Sequence, residues 1–140
     1  MPRETIVDAG PIYALFDRND SYHEKAVEFI QRRIGDWYTT VPVLTEVIYL
    51  LDSKLQLEID FIHWVAKGSV RIVELSVEDY RQTAAMMQKY SDRPADFADA
   101  TLVAVADRLG IRNVASVDGD FNIYRYRRKY PFHNAFLSGA

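Results

Sequence analysis

The chain has 140 residues, 49% hydrophobic and 26% charged, with no cysteine and a formal net charge of −3. That length suits one domain over residues 1–140, and the lack of cysteine excludes disulfides, thiolate metal sites and a cysteine nucleophile. A reducing, cytoplasmic setting is expected with no membrane partner, since Arg3, Glu4 and Asp8 break any secretory run and Val41–Leu51, the most apolar segment, is far shorter than the roughly 20 residues of a membrane helix.

In chain order, Thr5-Ile6-Val7 is a β-branched run that reads as a strand, punctuated by Gly10-Pro11, with a helix beginning over Ile12–Phe16. Asp20 or Ser21 is expected to cap a second helix through about Arg33, stopped by Gly35. Trp37–Val41 reads as a strand, Pro42 opens a helix to about Ser53, and Leu55–Ala66 forms another, ended by Gly68. Val70–Leu75 is a third strand, and Ser76 caps a helix over Val77–Tyr90. Asp92-Arg93-Pro94 breaks the chain before an Ala-rich helix, Ala95–Leu109, that ends at Gly110. Val114–Val117 is a fourth strand running into Asp118, and a short fifth falls near Phe132–Phe136. Apolar strands separated by helices predict an α/β three-layer sandwich, a central parallel sheet of four to five strands flanked by helices. Ligands of such sheets bind beyond the carboxyl ends of the strands, near a switch in strand order.

Four acids stand out in that frame. Asp8 ends the first strand and Asp118 follows the fourth, while Glu46 and Asp99 lie inside apolar helical segments where a lone carboxylate is costly. Taken singly, each has an ordinary explanation as a turn, cap, solvent-facing or ion-paired residue; their joint occurrence is what points to a site. Crowded carboxylates repel, and a hard divalent cation with oxygen ligands relieves the conflict. Such a cation lowers the pKa of water and steadies phosphoryl charge, so the cluster points to phosphodiester chemistry. From Phe121 onward the charged residues are Arg125, Arg127, Arg128 and Lys129, with no acid, interleaved with Tyr124, Tyr126, Tyr130 and Phe132. Cations beside rings suit a single-stranded RNA contact, although a solvated turn packed on the domain explains the same pattern. The three histidines are scattered, and no phosphate-cradling glycine loop or Gly-x-Ser-x-Gly elbow occurs.

Ile6-Val7-Asp8-Ala9 with Pro11, Thr45-Glu46-Val47, Asp96–Ala104 and Ser116–Phe121 occur in an order and spacing that resemble the PIN domain family, and within it VapC-type toxin ribonucleases. The resemblance implies a Mg²⁺- or Mn²⁺-dependent endoribonuclease that hydrolyses RNA, leaving a 5′-phosphate and a 3′-hydroxyl. It implies Asp8, Glu46, Asp99 and Asp118 as the catalytic and metal-holding residues, with Asp96, one turn before Asp99, as a further contact. By the same resemblance the partners are an RNA substrate, a second copy in a homodimer, and a small antitoxin with a basic C-terminal segment. Helices over Val43–Leu51 and Leu55–Ala66 carry apolar residues, Trp64 included, that suit either partner surface or core. Two departures bear on efficiency: Ala9-Gly10-Pro11 lacks the hydroxyl residue that many members carry there, and Ser116 replaces the family's threonine. The alternatives are a PIN-fold RNA- or protein-binding module without turnover and a structure-specific DNA nuclease.

Overall fold

The computed structural model describes residues 4–33, 35–91 and 96–138. Strand β1 (Thr5–Val7) leads into α1 (Ala9–Phe16) and α2 (His23–Gln31), then β2 (Trp37–Thr39) into α3 (Val41–Leu50) and α4 (Leu55–Ala66). Strand β3 (Arg71–Ile72) is followed by α5 (Val77–Lys89) and α6 (Phe97–Leu109), then by β4 (Asn113–Ala115). A 3₁₀ turn at Asp120–Asn122 precedes the hairpin strands β5 (Arg125–Tyr126) and β6 (Tyr130–Pro131). Strand β7 (His133–Asn134) and the short α7 (Ala135–Ser138) complete the described chain.

Five strands form one sheet in the order β3-β2-β1-β4-β7, every pair parallel, which bears out the expected α/β architecture. Every residue of β1 is buried, as a central strand covered on both faces requires. The chain winds outward from β1 through β2 to β3, then returns by α5 and α6 to place β4 on β1's other flank. The reversal of direction therefore falls between β1 and β4, whose register sets Val7 beside Ala115.

Element ends differ from expectation where a side chain takes over the cap. Pro11 suits the first turn of a helix and lies there; the helix begins earlier than expected, at Ala9, because Asp8 caps it, so Gly10 lies within that turn too. Pro11 costs nothing there, since the first backbone N–H groups of a helix have no intrahelical partner. Gly10 is needed for close approach: a Cβ at this position would stand 2.3 Å from Val117 Cγ2. Neither Asp20 nor Ser21 caps α2; Tyr22 occupies that position, and the Asp20 carboxylate instead accepts from the Tyr22 N–H at 2.9 Å. The fourth strand stops at Ala115, so Ser116 and Val117 carry the chain from β4 to Asp118. Ser76 and Asp79 form a reciprocal capping box on α5, and Gly110 (φ 75°) ends α6 in the left-handed conformation. The expected break at Asp92–Pro94 and the start at Ala95 lie outside the described residues.

An aromatic cluster anchors one side of the core, with Phe16 edge-on to both Phe61 and Trp64, and Phe29 stacked on Trp37 at 5.5 Å. Trp64 is therefore partly buried and packed against the core. Other apolar residues of α3 and α4 face solvent: Val41 is 58% exposed, Tyr49 80% and Leu55 67%. The small residues of α6 let that helix sink against the sheet, and every residue from Ala98 to Ala106 is buried. A bidentate bridge from Arg108 to the buried Asp79 carboxylate, at 2.9–3.1 Å, ties α6 to α5.

Candidate active site

The carboxyl edge between β1 and β4 is where the acids gather. Asp8 follows β1 directly, and its own N–H donates to the Ala115 carbonyl at 2.9 Å, which holds it to the β4 side. One carboxylate oxygen accepts from the Ala9 N–H at 2.8 Å, and the other accepts from the Ser116 hydroxyl at 3.0 Å. Ser116 also accepts from the Asp118 N–H at 3.3 Å, so a single hydroxyl links the Asp8 carboxylate to the backbone of Asp118. Asp99 lies in the first turn of α6, buried, and accepts from the Tyr124 hydroxyl at 3.2 Å. Asp96 caps the same helix through the Ala98 N–H at 2.7 Å and is exposed.

Buried threonines fix the helices that carry these acids. The Thr40 and Thr101 hydroxyls meet at 2.8 Å, joining the start of α3, which bears Glu46, to α6, which bears Asp99. Thr39 donates to the Val7 carbonyl at 2.9 Å beside Asp8. Glu46, half-buried, reaches toward the same space from α3, with Asp96, Asp8 and Asp118 all acting on its charge.

The electrostatics follow from crowding in a dry place. Burial first, then repulsion from Asp118, pushes the Asp8 carboxyl up to about 6, although hydrogen bonds from Ala9 and Ser116 oppose the rise. Burial and the neighbouring carboxylates Asp96, Asp8 and Asp118 raise Glu46 to about 7. Asp99 is pushed furthest, to about 9, by burial and then by Asp8, Asp118, Asp96 and Glu46. Burial raises Asp118 as well, with Asp120 and Asp96 adding repulsion. Among the described residues, the main charges acting on these four are other carboxylates. An all-oxygen donor set that repels itself is what a hard divalent cation suits, so the residues present fit such an ion.

The structure brings Asp8, Glu46, Asp99, Asp118 and Asp96 to one edge, and it adds a residue that sequence reasoning had read only as part of a turn. Among the described residues, oxygens of Asp99, Asp118 and Asp120 lie within 4.8 Å of one another, close enough to share an ion. The Asp118 side chain accepts from the Asp120 N–H at 2.9 Å, a local turn that folds the two carboxylates onto the same side. Spacing within Asp118-Gly119-Asp120 was the available signal. Tyr124, Thr40 and Thr101 had none, because their partners are 25 and 61 residues away.

The basic run adopts a specific form. Arg127 and Arg128 occupy the two central positions of a hairpin turn at φ 49° and 65°, closed by the Lys129 N–H on the Tyr126 carbonyl at 3.1 Å. Such a turn favours Asn-Gly, and a left-handed arginine costs about 1–2 kcal/mol. Offsetting this, the Arg127 N–H donates to the Asp107 carboxylate at 2.7 Å and its guanidinium lies over the Tyr126 ring. The interleaved rings are mostly core: Tyr124 and Phe132 are buried, and only Tyr130, 44% exposed, stands out with Arg112 and Lys129 over it.

Comparisons with known proteins agree with this geometry. Ribonuclease VapC26 of Mycobacterium tuberculosis is 25% identical over 115 residues, which span 81% of this chain and 85% of that protein. The crystal structure of VapC20 from the same organism, described as a sarcin-ricin loop cleaving toxin, superposes with a TM-score of 0.80 at 24% identity. That superposition covers 91% of this chain and 99% of VapC20. VapBC2 from Rickettsia felis, bound to a DNA fragment from its promoter, gives a TM-score of 0.60 at 10% identity, covering 84% of this chain and 90% of its own. FitAcB from Neisseria gonorrhoeae gives 0.54 at 18%, covering 81% and 87%. These structures share the fold, and the resemblance read from the sequence blocks is borne out. A family model described as PIN domain matches residues 5–127, a span that takes in all six acids and the sheet edge that gathers them, and the chain belongs to that family.

Proposed function

We propose that this chain is a divalent-metal-dependent endoribonuclease that hydrolyses RNA phosphodiester bonds, acting as the toxin of a type II toxin–antitoxin pair in the cytoplasm, with residues 1–140 forming one PIN unit. The observation that carries the reading is the convergence of Asp8, Asp99, Asp118 and Asp120, with Glu46 and Asp96 beside them, at the switch between β1 and β4. The VapC26 and VapC20 likenesses support an RNA substrate.

Asp99, Asp118 and Asp120 would hold the ion, Mg²⁺ or Mn²⁺, with Asp8 behind them, and Glu46 and Asp96 facing the open side. When bound, the ion supplies stabilisation of phosphoryl charge and a lowered pKa for the attacking water. Ser116 orients the Asp8 carboxylate, and Tyr124 holds one oxygen of Asp99, leaving the other directed to the cluster. Glu46, only half-buried, is placed on the open side to take up a proton at its carboxylate as the strand is cut. Arg128 and Lys129 guide the RNA backbone.

Exposed Val41, Tyr49 and Phe97 border an open groove beside Glu46 and Asp96, a surface that a second copy would cover in a homodimer. Leu55, Ile59 and Ile62 line a separate apolar strip on α4 that suits an antitoxin helix, whose basic tail would neutralise the acids. The VapBC2 and FitAcB neighbours support such a partner.

The test is cleavage of defined RNAs and matched DNAs by purified protein with and without Mn²⁺, beside Asp99→Asn. Wild type is expected to cut RNA only with the metal, and the variant to be inactive. Equal cutting by both proteins, or no cutting of any RNA by either, would overturn the reading.

A further inference from the structure

A second concavity lies between α5, α6 and the hairpin. Helix α5 contributes Gln82, Ala85, Met86 and Lys89, and α6 contributes Ala100, Val103, Ala104 and Asp107. Both sets recur at i, i+3, i+4 and i+7, so each is a single stripe along its helix, and the two stripes face each other. Because alanines occupy the facing positions, the helices leave a trough of about 310 Å³ between them, at the lower end of the range for small-ligand sites. Its floor is apolar: Ala100, Val103 and Ala104 are each at most 6% exposed.

The polar groups of this trough sit at its rim and have one dominant sign. Lys89 comes from the last turn of α5, and Arg125 and Arg128 come from the hairpin. Arg125 is held by the carbonyls of Asn122, Ile123 and Tyr124 at 2.8–3.2 Å, so its guanidinium is fixed in place. Arg128 occupies the left-handed turn position where an unstrained residue would be glycine or asparagine, which points to a use for its side chain. Among the described lining residues the one acid, Asp107, accepts from the Arg127 N–H through Oδ1 and has its charge offset by Arg127 and Arg128.

The trough also communicates with the acids. Tyr90, at its end, packs edge-on against Tyr124 with ring centres 5.4 Å apart, and the Tyr124 hydroxyl donates to Asp99. Ala100 on the floor directly follows Asp99 in sequence. Tyr90 and Tyr124 thus form a continuous chain of contacts from the trough to Asp99.

We propose that the trough between α5, α6 and the hairpin seats one unpaired nucleotide of the substrate RNA, flanking the bond that is cut. The flat base lies on the alanine floor against Met86 and Tyr90, and the backbone phosphate meets Arg128 and Lys89. Asp107 Oδ2 and Gln82 face the base edge, and a carboxylate oxygen there selects bases that carry an amino group. The proposal takes the identity of the strand from the ribonuclease reading; the shape and charge of the trough stand apart from it.

Metal-free protein in EDTA is mixed with a single-stranded RNA nonamer of random sequence around a central 6-thioguanosine, a photo-crosslinking base that keeps an amino group. Affinity is read by fluorescence anisotropy, and the contact by photo-crosslinking and peptide mass spectrometry. Two variants act by different routes: Ala85→Trp fills the trough from an exposed position, and Arg128→Asn removes a cation while relaxing the turn. Both are expected to weaken binding about tenfold and to erase crosslinks to α5 and α6 peptides, while Arg128→Asn leaves thermal stability equal or higher. With Mn²⁺, Ala85→Trp is expected to raise KM for the nonamer and to leave hydrolysis of bis(p-nitrophenyl) phosphate unchanged. Wild-type affinity in both variants, crosslinks confined to other segments, or no RNA binding at all would overturn the trough. RNA that binds in the trough and is never cut would uphold it and sink the ribonuclease reading instead.

Discussion

Replacing Asp8 by asparagine should stabilise the metal-free protein, contrary to the usual effect of changing a buried polar residue. Asparagine keeps the shape, can still accept from the Ala9 N–H, and can donate to Ser116, so the local hydrogen bonds survive. What disappears is a charge that burial and Asp118 disfavour, which raises the carboxyl from 3.8 to about 6. The sign follows from proton counting. Between those values the folded chain holds a proton that the unfolded chain has released, so stability falls as pH rises from about 4 to 6 and is level for this group above that. A rise of roughly two units corresponds to about 3 kcal/mol, or near 10 °C in Tm for a chain of this size. Urea and thermal denaturation at pH 4 and pH 8 in EDTA should show Asp8→Asn matching wild type at the lower pH and exceeding it by about that amount at the higher. Saturating Mn²⁺ should narrow the gap, since an ion at a hundred times its Kd adds about 2.7 kcal/mol to the protein that binds it. A variant less stable than wild type at pH 8, or an equal gain from Mn²⁺ in both proteins, would refute the reasoning.

Other perturbations separate the site from its scaffold. Ser116→Ala removes the hydroxyl shared by Asp8 and Asp118 and should lower Mn²⁺ affinity about 10- to 100-fold, read by isothermal titration calorimetry, with Ser116→Thr restoring much of it. Gly10→Ala drives a Cβ to 2.3 Å from Val117 and should cost about 1–3 kcal/mol in urea denaturation. Arg108→Ala strands the buried Asp79 carboxylate and should cost about 3 kcal/mol at pH 7, the low end for a buried pair because the arginine is half in solvent. Burial alone would raise Asp79, but Arg108 and the Ser76 N–H outweigh it and hold the carboxyl below its usual value. The loss should therefore be present above about pH 4 and shrink as pH falls through the folded value, in the opposite sense to Asp8.

The sheet and its helices were legible because each element carries its own local signal. β-branched runs, the cap at Ser76 and the stop at Gly110 depend on neighbours within a few residues. Boundaries failed where a side chain did two jobs: Asp8 was read as the end of a strand and is also the cap that starts α1 early. The basic run had two readings, and the structure divides it. Its rings mostly join the core, while Arg128 is held out on a strained turn at the rim of a trough that no sequence pattern announced.

The same division applies to the acids. By itself the amino-acid sequence determined that Asp8, Glu46, Asp99 and Asp118 stand where carboxylates are costly, because burial on an apolar helix or at a strand end can be read from neighbours. It likewise made oxygen ligands the natural basis for a metal site, since the chain has no cysteine and its three histidines are scattered. Only the tertiary structure decided that Asp120 joins Asp99 and Asp118, that Ser116 bonds to both Asp8 and Asp118, and that Tyr124 joins Asp99 to Tyr90 at the end of the trough. The physical reason is the crossover that sets β4 beside β1. It brings residues more than a hundred positions apart within a hydrogen bond, and repulsion and desolvation at that range belong to the assembled cluster rather than to any segment of the chain.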